Sequence, residues 1–235
     1  MAGLSDLDIV TVWSAAQPVH PAARGAALLR AFTPGHTLDE LARLPIGCRD
    51  ARLLQLREQW FGSRLAAVTS CPECGIRVEA EIPLAALRVD APESAVRVIA
   101  IGDLRIEVRP PDTRDLAAIA GASDEESARA LLLARCIHGA DAAELPAEAV
   151  SEVVTAIAAC DPAADLTVAL ICPECGHEWE SALDIAAFVW SDIDTAARRA
   201  LCDVHVLAAA YGWSEEKVLD MPAARRQLYL AMVTA

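Results

Sequence analysis

The sequence predicts an α+β fold: a two-armed, four-cysteine ribbon with an inserted hairpin-helix subdomain and flanking helical segments. Three observations carry this. Two near-identical pentapeptides, Cys71-Pro72-Glu73-Cys74-Gly75 and Cys172-Pro173-Glu174-Cys175-Gly176, each lie inside a strand-like run. Apolar residues recur with a period of two around both turns, whereas the chain before, between and after them carries helical spacing. Capping residues and Gly or Pro breakers fall where the period changes.

The cysteines of each pentapeptide stand three positions apart, so their sulfurs face one side of a tight turn. The proline stiffens the entry, and the glycine permits the positive φ that turns backbone N–H groups toward the thiolates. Two such turns supply Cys71, Cys74, Cys172 and Cys175, a closed tetrahedral shell for one structural zinc per chain with no position left open for a substrate. A disulfide framework fits poorly, because no signal-peptide pattern is seen and the chain can build a core without staples. A thioredoxin-like pair needs its first cysteine at a helix N-terminus, and here strand-like residues flank both turns. The spacing is unusual: residues 75–171 stand where ordinary zinc ribbons place about 12 to 20 residues. The intervening segment must therefore return its ends to one place. His177 reads as a hydrogen-bonding neighbour of the shell, and Cys48, Cys136, Cys160 and Cys202 as buried free thiols.

In chain order, residues 1–62 form an N-terminal helical segment. After an acidic, apolar lead from Leu4 to Val12, a helix is expected over Pro21–Phe32, then a Thr37/Glu40 capping box, then a helix over Arg49–Phe61 with Leu53, Leu56 and Trp60 on one face. Residues 63–90 form the first arm, with Arg64–Ser70 pairing against the alternating Ile76, Val78, Ala80 and Ile82. Residues 91–162 are the insertion. It holds a hairpin of Ala95–Ala100 and Leu104–Val108, with Val96 and Val98 facing Leu104, Ile106 and Val108, then helices capped by Asp112, by a Ser123/Glu126 box and opened by Pro146. Residues 163–190 repeat the strand-turn-strand plan as the second arm. Residues 191–235 form a C-terminal helical hairpin: Thr195–Tyr211 stopped by Gly212, a Ser214-capped turn, and a last helix from Pro222.

Charge and composition limit function. The net charge is −14, and from Cys136 to Ala197 there is no Lys or Arg against twelve Asp and Glu. Nucleic-acid binding needs cations that displace phosphate counterions, so a nucleic-acid partner is not expected. The acidic run reads either as a solvated surface or as a face for a basic protein. No apolar run approaches the length of a membrane span, and a cytoplasmic site of synthesis is expected. No phosphate loop, nucleophile-base pair or open metal position suggests an enzyme or a small-molecule substrate. The C-terminal end gathers Tyr211, Trp213, Arg225, Arg226 and Tyr229, the residue types of interface hot spots, and can equally be a hairpin folded on its own core. Adjacent arginines diverge by about 100° on a helix, so one is expected to close an internal salt bridge while the other faces outward.

The order Leu44-Pro45-Ile46-Gly47-Cys48-Arg49-Asp50 with Leu53-Leu54, Phe61-Gly62 before the first turn, and the ending Tyr211-Gly212-Trp213-Ser214 through Arg225-Arg226 and Tyr229-Leu230 resembles a particular family. It is similar to relatives of the T-even phage baseplate hub assembly chaperone, found in phages and in contractile injection systems. The resemblance implies a non-enzymatic baseplate structural or assembly role, partners among other baseplate or tail-assembly proteins, and no catalytic residues. The alternative is a zinc-ribbon regulatory or nucleic-acid-associated factor, which the acidic balance disfavours.

Overall fold

The computed structural model describes residues 5–89, 96–102 and 104–233. Helices α1 (Asp6–Ala16), α2 (Pro21–Phe32), α3 (Leu38–Ala42) and α4 (Ile46–Phe61) lead into the antiparallel pair β1 (Arg64–Ser70) and β2 (Arg77–Pro83). Strands β3 (Arg97–Ile101) and β4 (Leu104–Val108) follow, then α5 (Thr113–Ile119), α6 (Glu125–Cys136), the short β5 (Ile137–His138) and α7 (Ala147–Cys160). A second antiparallel pair, β6 (Thr167–Ile171) and β7 (Glu178–Ala182), runs into α8 (Ile185–Tyr211), α9 (Glu215–Leu219) and α10 (Ala223–Val233).

The spine is α8, 27 residues and so about 40 Å long. Its buried positions Ile185, Val189, Ile193, Ala197, Ala200, Val204 and Leu207 recur every three or four residues, a stripe that meets α1, α2 and α4. Leu28, Leu29, Leu53, Leu65, Leu84 and Leu219 complete this main core. A separate cluster of Ile106, Val108, Leu133, Ile137, Val153 and Cys160 joins the hairpin to α6 and α7. Both groups bury apolar surface worth about 25 cal/mol per Å² removed from water.

Several expectations are corrected. Of the lead at Leu4–Val12, Leu4 lies outside the described residues and the rest enters α1, opened by a Ser5/Asp8 capping box. Helix α4 starts at Ile46, and its buried face holds Arg49, Asp50 and Arg57 beside Leu53 and Leu54, while Leu56 and Trp60 are half-buried. Helix α8 starts ten residues before Thr195, capped by Asp184, and passes without a break through residue 191. Asp124, not Ser123, caps α6, because its carboxylate accepts from Ser127 N at 2.7 Å while the Ser123 hydroxyl donates to that same carboxylate. The hairpin register pairs Ile99 with Ile106 and Ile101 with Leu104, so Ile99 and Ile101 face the core and Val96 and Val98 are exposed. Directly opposed residues share a face, and a one-residue slip exchanges the faces. Ala95 and Asp103 lie outside the described residues.

Candidate metal centre

Each arm ends in the same turn. Cys71 N donates to Ile76 O at 2.8 Å and Cys172 N to His177 O at 2.9 Å, closing the strand ends. Gly75 N donates to Cys71 O and Gly176 N to Cys172 O, at 2.9 and 3.0 Å. Gly75 and Gly176 carry φ of 72° and 73°, a region that a side chain disfavours, so glycine is required at this one place in each turn. The turn geometry frees further N–H groups to face sulfur: that of Ile76 toward Cys74, that of His177 toward Cys175, and those of Cys175 and Glu174 toward Cys172.

The sequence expectation that the four cysteines converge agrees with the geometry. All four sulfurs lie within 4.8 Å of one another. Between the arms, Cys71 and Cys175 stand 3.7 Å apart and Cys74 and Cys172 3.6 Å apart. Those distances exceed a sulfur–sulfur bond of about 2.05 Å and surround a space the size of one ion. Cys71 and Cys172 are buried with Val78 and Trp179 behind them, while Cys74 and Cys175 face outward. Donated N–H groups, first that of Cys175, bring the Cys172 thiol down to about 7. At Cys175 the His177 N–H acts the same way, but desolvation and the sulfurs of Cys172, Cys74 and Cys71 override it and push the thiol up to about 12. Were all four sulfurs ionised, thiolates this close would need a cation between them.

His177 takes part through its backbone, and its ring stacks near Trp179 at 6.1 Å. Of the other thiols, Cys136 and Cys160 are buried as expected, whereas Cys48 is half-buried and Cys202 is exposed. Burial pushes Cys136 up to about 11.

The segment Leu44–Asp50 is a junction that sequence reading did not resolve. Ile46 N donates to Pro111 O at 3.2 Å, Gly47 N to buried Asp161 Oδ2 at 2.7 Å, and Arg49 Nη1 to Thr113 Oγ1 at 3.4 Å. The start of α4 thus grips the insertion at two places, the link between β4 and α5 and its C-terminal end. A Cβ on Gly47 would stand 2.1 Å from Asp161 Oδ1 and 2.7 Å from Ala163, which leaves room for hydrogen alone. Nearby, Asp115 is fully buried between Arg109 and Arg135; burial works to raise its pKa, but the Arg109 hydrogen bonds hold it below the usual carboxylate range.

At the other end of α8, Tyr211 stacks on Trp213 at 4.7 Å, and Tyr229 meets Trp213 edge-on at 4.9 Å. Tyr211 is exposed, Trp213 and Tyr229 are half-buried against the core, and Arg225 lies over the Tyr229 ring at 5.7 Å. Arg226 is different. It is 4% exposed and reaches Asp203 at 2.9 Å and Asp6 on α1, so it clasps the two ends of the fold and cannot meet a partner without leaving them.

Among the described residues no helix is long and apolar enough to cross a membrane. Comparison with curated proteins and with solved structures returned no match. A family model described as T4 bacteriophage base plate protein matches residues 27–190. That span contains the α4 junction, both cysteine turns and the insertion, and stops before the aromatic end. With well over half of its length matched, the chain belongs to the T4 bacteriophage base plate protein family.

Proposed function

We propose that the chain is a non-catalytic baseplate component or assembly chaperone of a contractile phage tail or injection system, held in shape by one structural zinc. The observation that carries this is the cross-arm sulfur cluster in a member of a baseplate family. A tetrahedral zinc shell with Zn–S bonds of about 2.3 Å has sulfur–sulfur edges of about 3.8 Å, against 3.7 and 3.6 Å between the arms. Cys71, Cys74, Cys172 and Cys175 would hold the ion, which supplies charge neutralisation and a cross-link. A four-thiolate shell is closed to substrate, which supports a structural rather than a catalytic metal.

The partner reading rests on the aromatic end. Tyr211, Trp213, Tyr229 and Arg225 offer large, amphipathic and partly exposed surface to another baseplate or tail-assembly protein, while Arg226 stays internal. The test has two parts. Elemental analysis of folded, chelator-free protein should return one zinc per chain, and a value far below one removes the metal reading. A pull-down from cells expressing the whole tail gene cluster should recover baseplate proteins with the wild type and lose them with Trp213→Ala plus Arg225→Glu. Equal recovery by the folded variant excludes this end as the docking surface, and no recovery by either protein counts against the assembly role.

A further inference from the structure

We propose that the free edge of β3 joins two copies of this chain, β3 against β3, antiparallel about Ile99. Strand β3 ends its sheet, whose order is β3-β4-β5. Because Ile101 pairs with Leu104 across the hairpin turn, hydrogen-bonded pairs alternate from there, and Val98 and Ala100 direct their N–H and C=O away from β4. Among the described residues neither group has a partner on that side. Val98 is 65% exposed on the outer face. No proline, lysine or bulge interrupts the strand's five paired residues, and Arg97 at the first position is its one charged side chain.

The register selects a second copy as the occupant. A two-fold axis at Ile99 sets Val98 opposite Ala100 of the second copy, and Ala100 opposite its Val98. Each pair would exchange both of its N–H···O bonds, using all four outward-facing groups of each strand. On the inner face the row becomes Ile106 and Ile99 followed by their own equivalents, an apolar row continuing the Ile106 core. On the outer face each row runs Glu107, Val98, then Ala100 and Arg105 of the second copy. One acid and one base end every such row, so charges balance across the joint. This matters in a chain of net charge −14, whose general field opposes self-association. An edge of five residues buries too little for a permanent dimer, and the expected association is weak and concentration-dependent.

The experiment is sedimentation velocity on the full chain over a wide concentration series. Wild type should move from monomer to dimer as concentration rises. Ala100→Pro deletes an N–H that β4 does not use, so the hairpin keeps its pairing while the edge is blocked. Its dimer dissociation constant should rise at least about tenfold. Val98→Lys, at an exposed position, should act the same way and decides the matter if the proline variant does not fold by circular dichroism. A wild type that stays monomeric throughout, or a dimer that neither folded variant weakens, overturns the proposal. So does an edge that captures a strand of a different baseplate protein in preference to a second copy.

Discussion

Aligned on their cysteines, the pair β1–β2 and the pair β6–β7 are alike on the side that faces the sulfurs and different everywhere else. Val78 and Trp179 occupy the same position after the second cysteine of each turn, and both close the back of the cluster. Outward, the first arm balances its charges through Arg64–Glu81 and Arg77–Glu79, whereas the second presents Glu178 and Glu180 with no cation on the arm. The first arm then hands the chain to the insertion and the second feeds α8 directly. The difference separates two demands on one motif. Bringing the four sulfurs together constrains the turn and one inner residue, and leaves the outer face of each arm free to take on its own chemistry.

The largest test of this equivalence is loss of a ligand. Cys71→Ser and Cys172→Ser should each abolish stoichiometric metal and cost on the order of 4–5 kcal/mol, the scale for releasing a loop of about a hundred residues. Calorimetry with metal analysis compares them, and a mild effect in one arm alone would break the symmetry. Stripping the metal with a chelator should likewise raise hydrogen exchange in both arms together while leaving the Ile106 cluster protected.

Gly47→Ala comes next, at about 2–3 kcal/mol, because overpacking against Asp161 and Ala163 strains the junction that holds the C-terminal end of the insertion. Denaturant unfolding measures it. At the matched inner positions, Trp179→Ala should cost about 2 kcal/mol and Val78→Ala about 1–2 kcal/mol by the same method. Equal metal content in the two variants would confirm that these residues back the cluster without holding the ion. The smallest effect belongs to Arg64→Ala, under about 0.5 kcal/mol, since both partners of its ion pair are exposed by 65% and 66%.

Local signals in the sequence were read well and long-range ones poorly. The Thr37/Glu40 box, the Gly212 stop, the Ser214 cap and both cysteine turns each occupy a few neighbouring residues, and each forms as the residues suggest. The starts of α1 and α8 are the local exceptions: the Ser5/Asp8 box and the Asp184 cap mark them, but the helices behind these caps are largely apolar and lack a clean polar face. Register in β3 failed because Val96, Val98, Ile99 and Ile101 put apolar residues on both faces of one short strand. Nothing local distinguishes Arg226 from Arg225. That choice depends on Asp6 and Asp203, which only the finished packing brings near. The same applies to Gly47, whose need for a bare backbone is set by Asp161 far along the chain.

The contact between α1 and α8 also dictates an order of events during synthesis. Trp13 donates to Asp194, 181 positions later, and Asp6 waits for Arg226, 220 positions later. On a ribosome, the segment around β3, β4, α6 and α7 can gather its own cluster as soon as residue 160 is free, since all its partners are close in sequence. The N-terminal helices cannot finish, because α8 has not yet been made. Leu28, Leu29 and Leu53 therefore pass most of translation without their final cover, as do Cys71 and Cys74 without their opposite pair. A nascent chain of this protein presents a growing oily surface and two unpaired thiols at once, and is most vulnerable to misassembly just before its last third emerges.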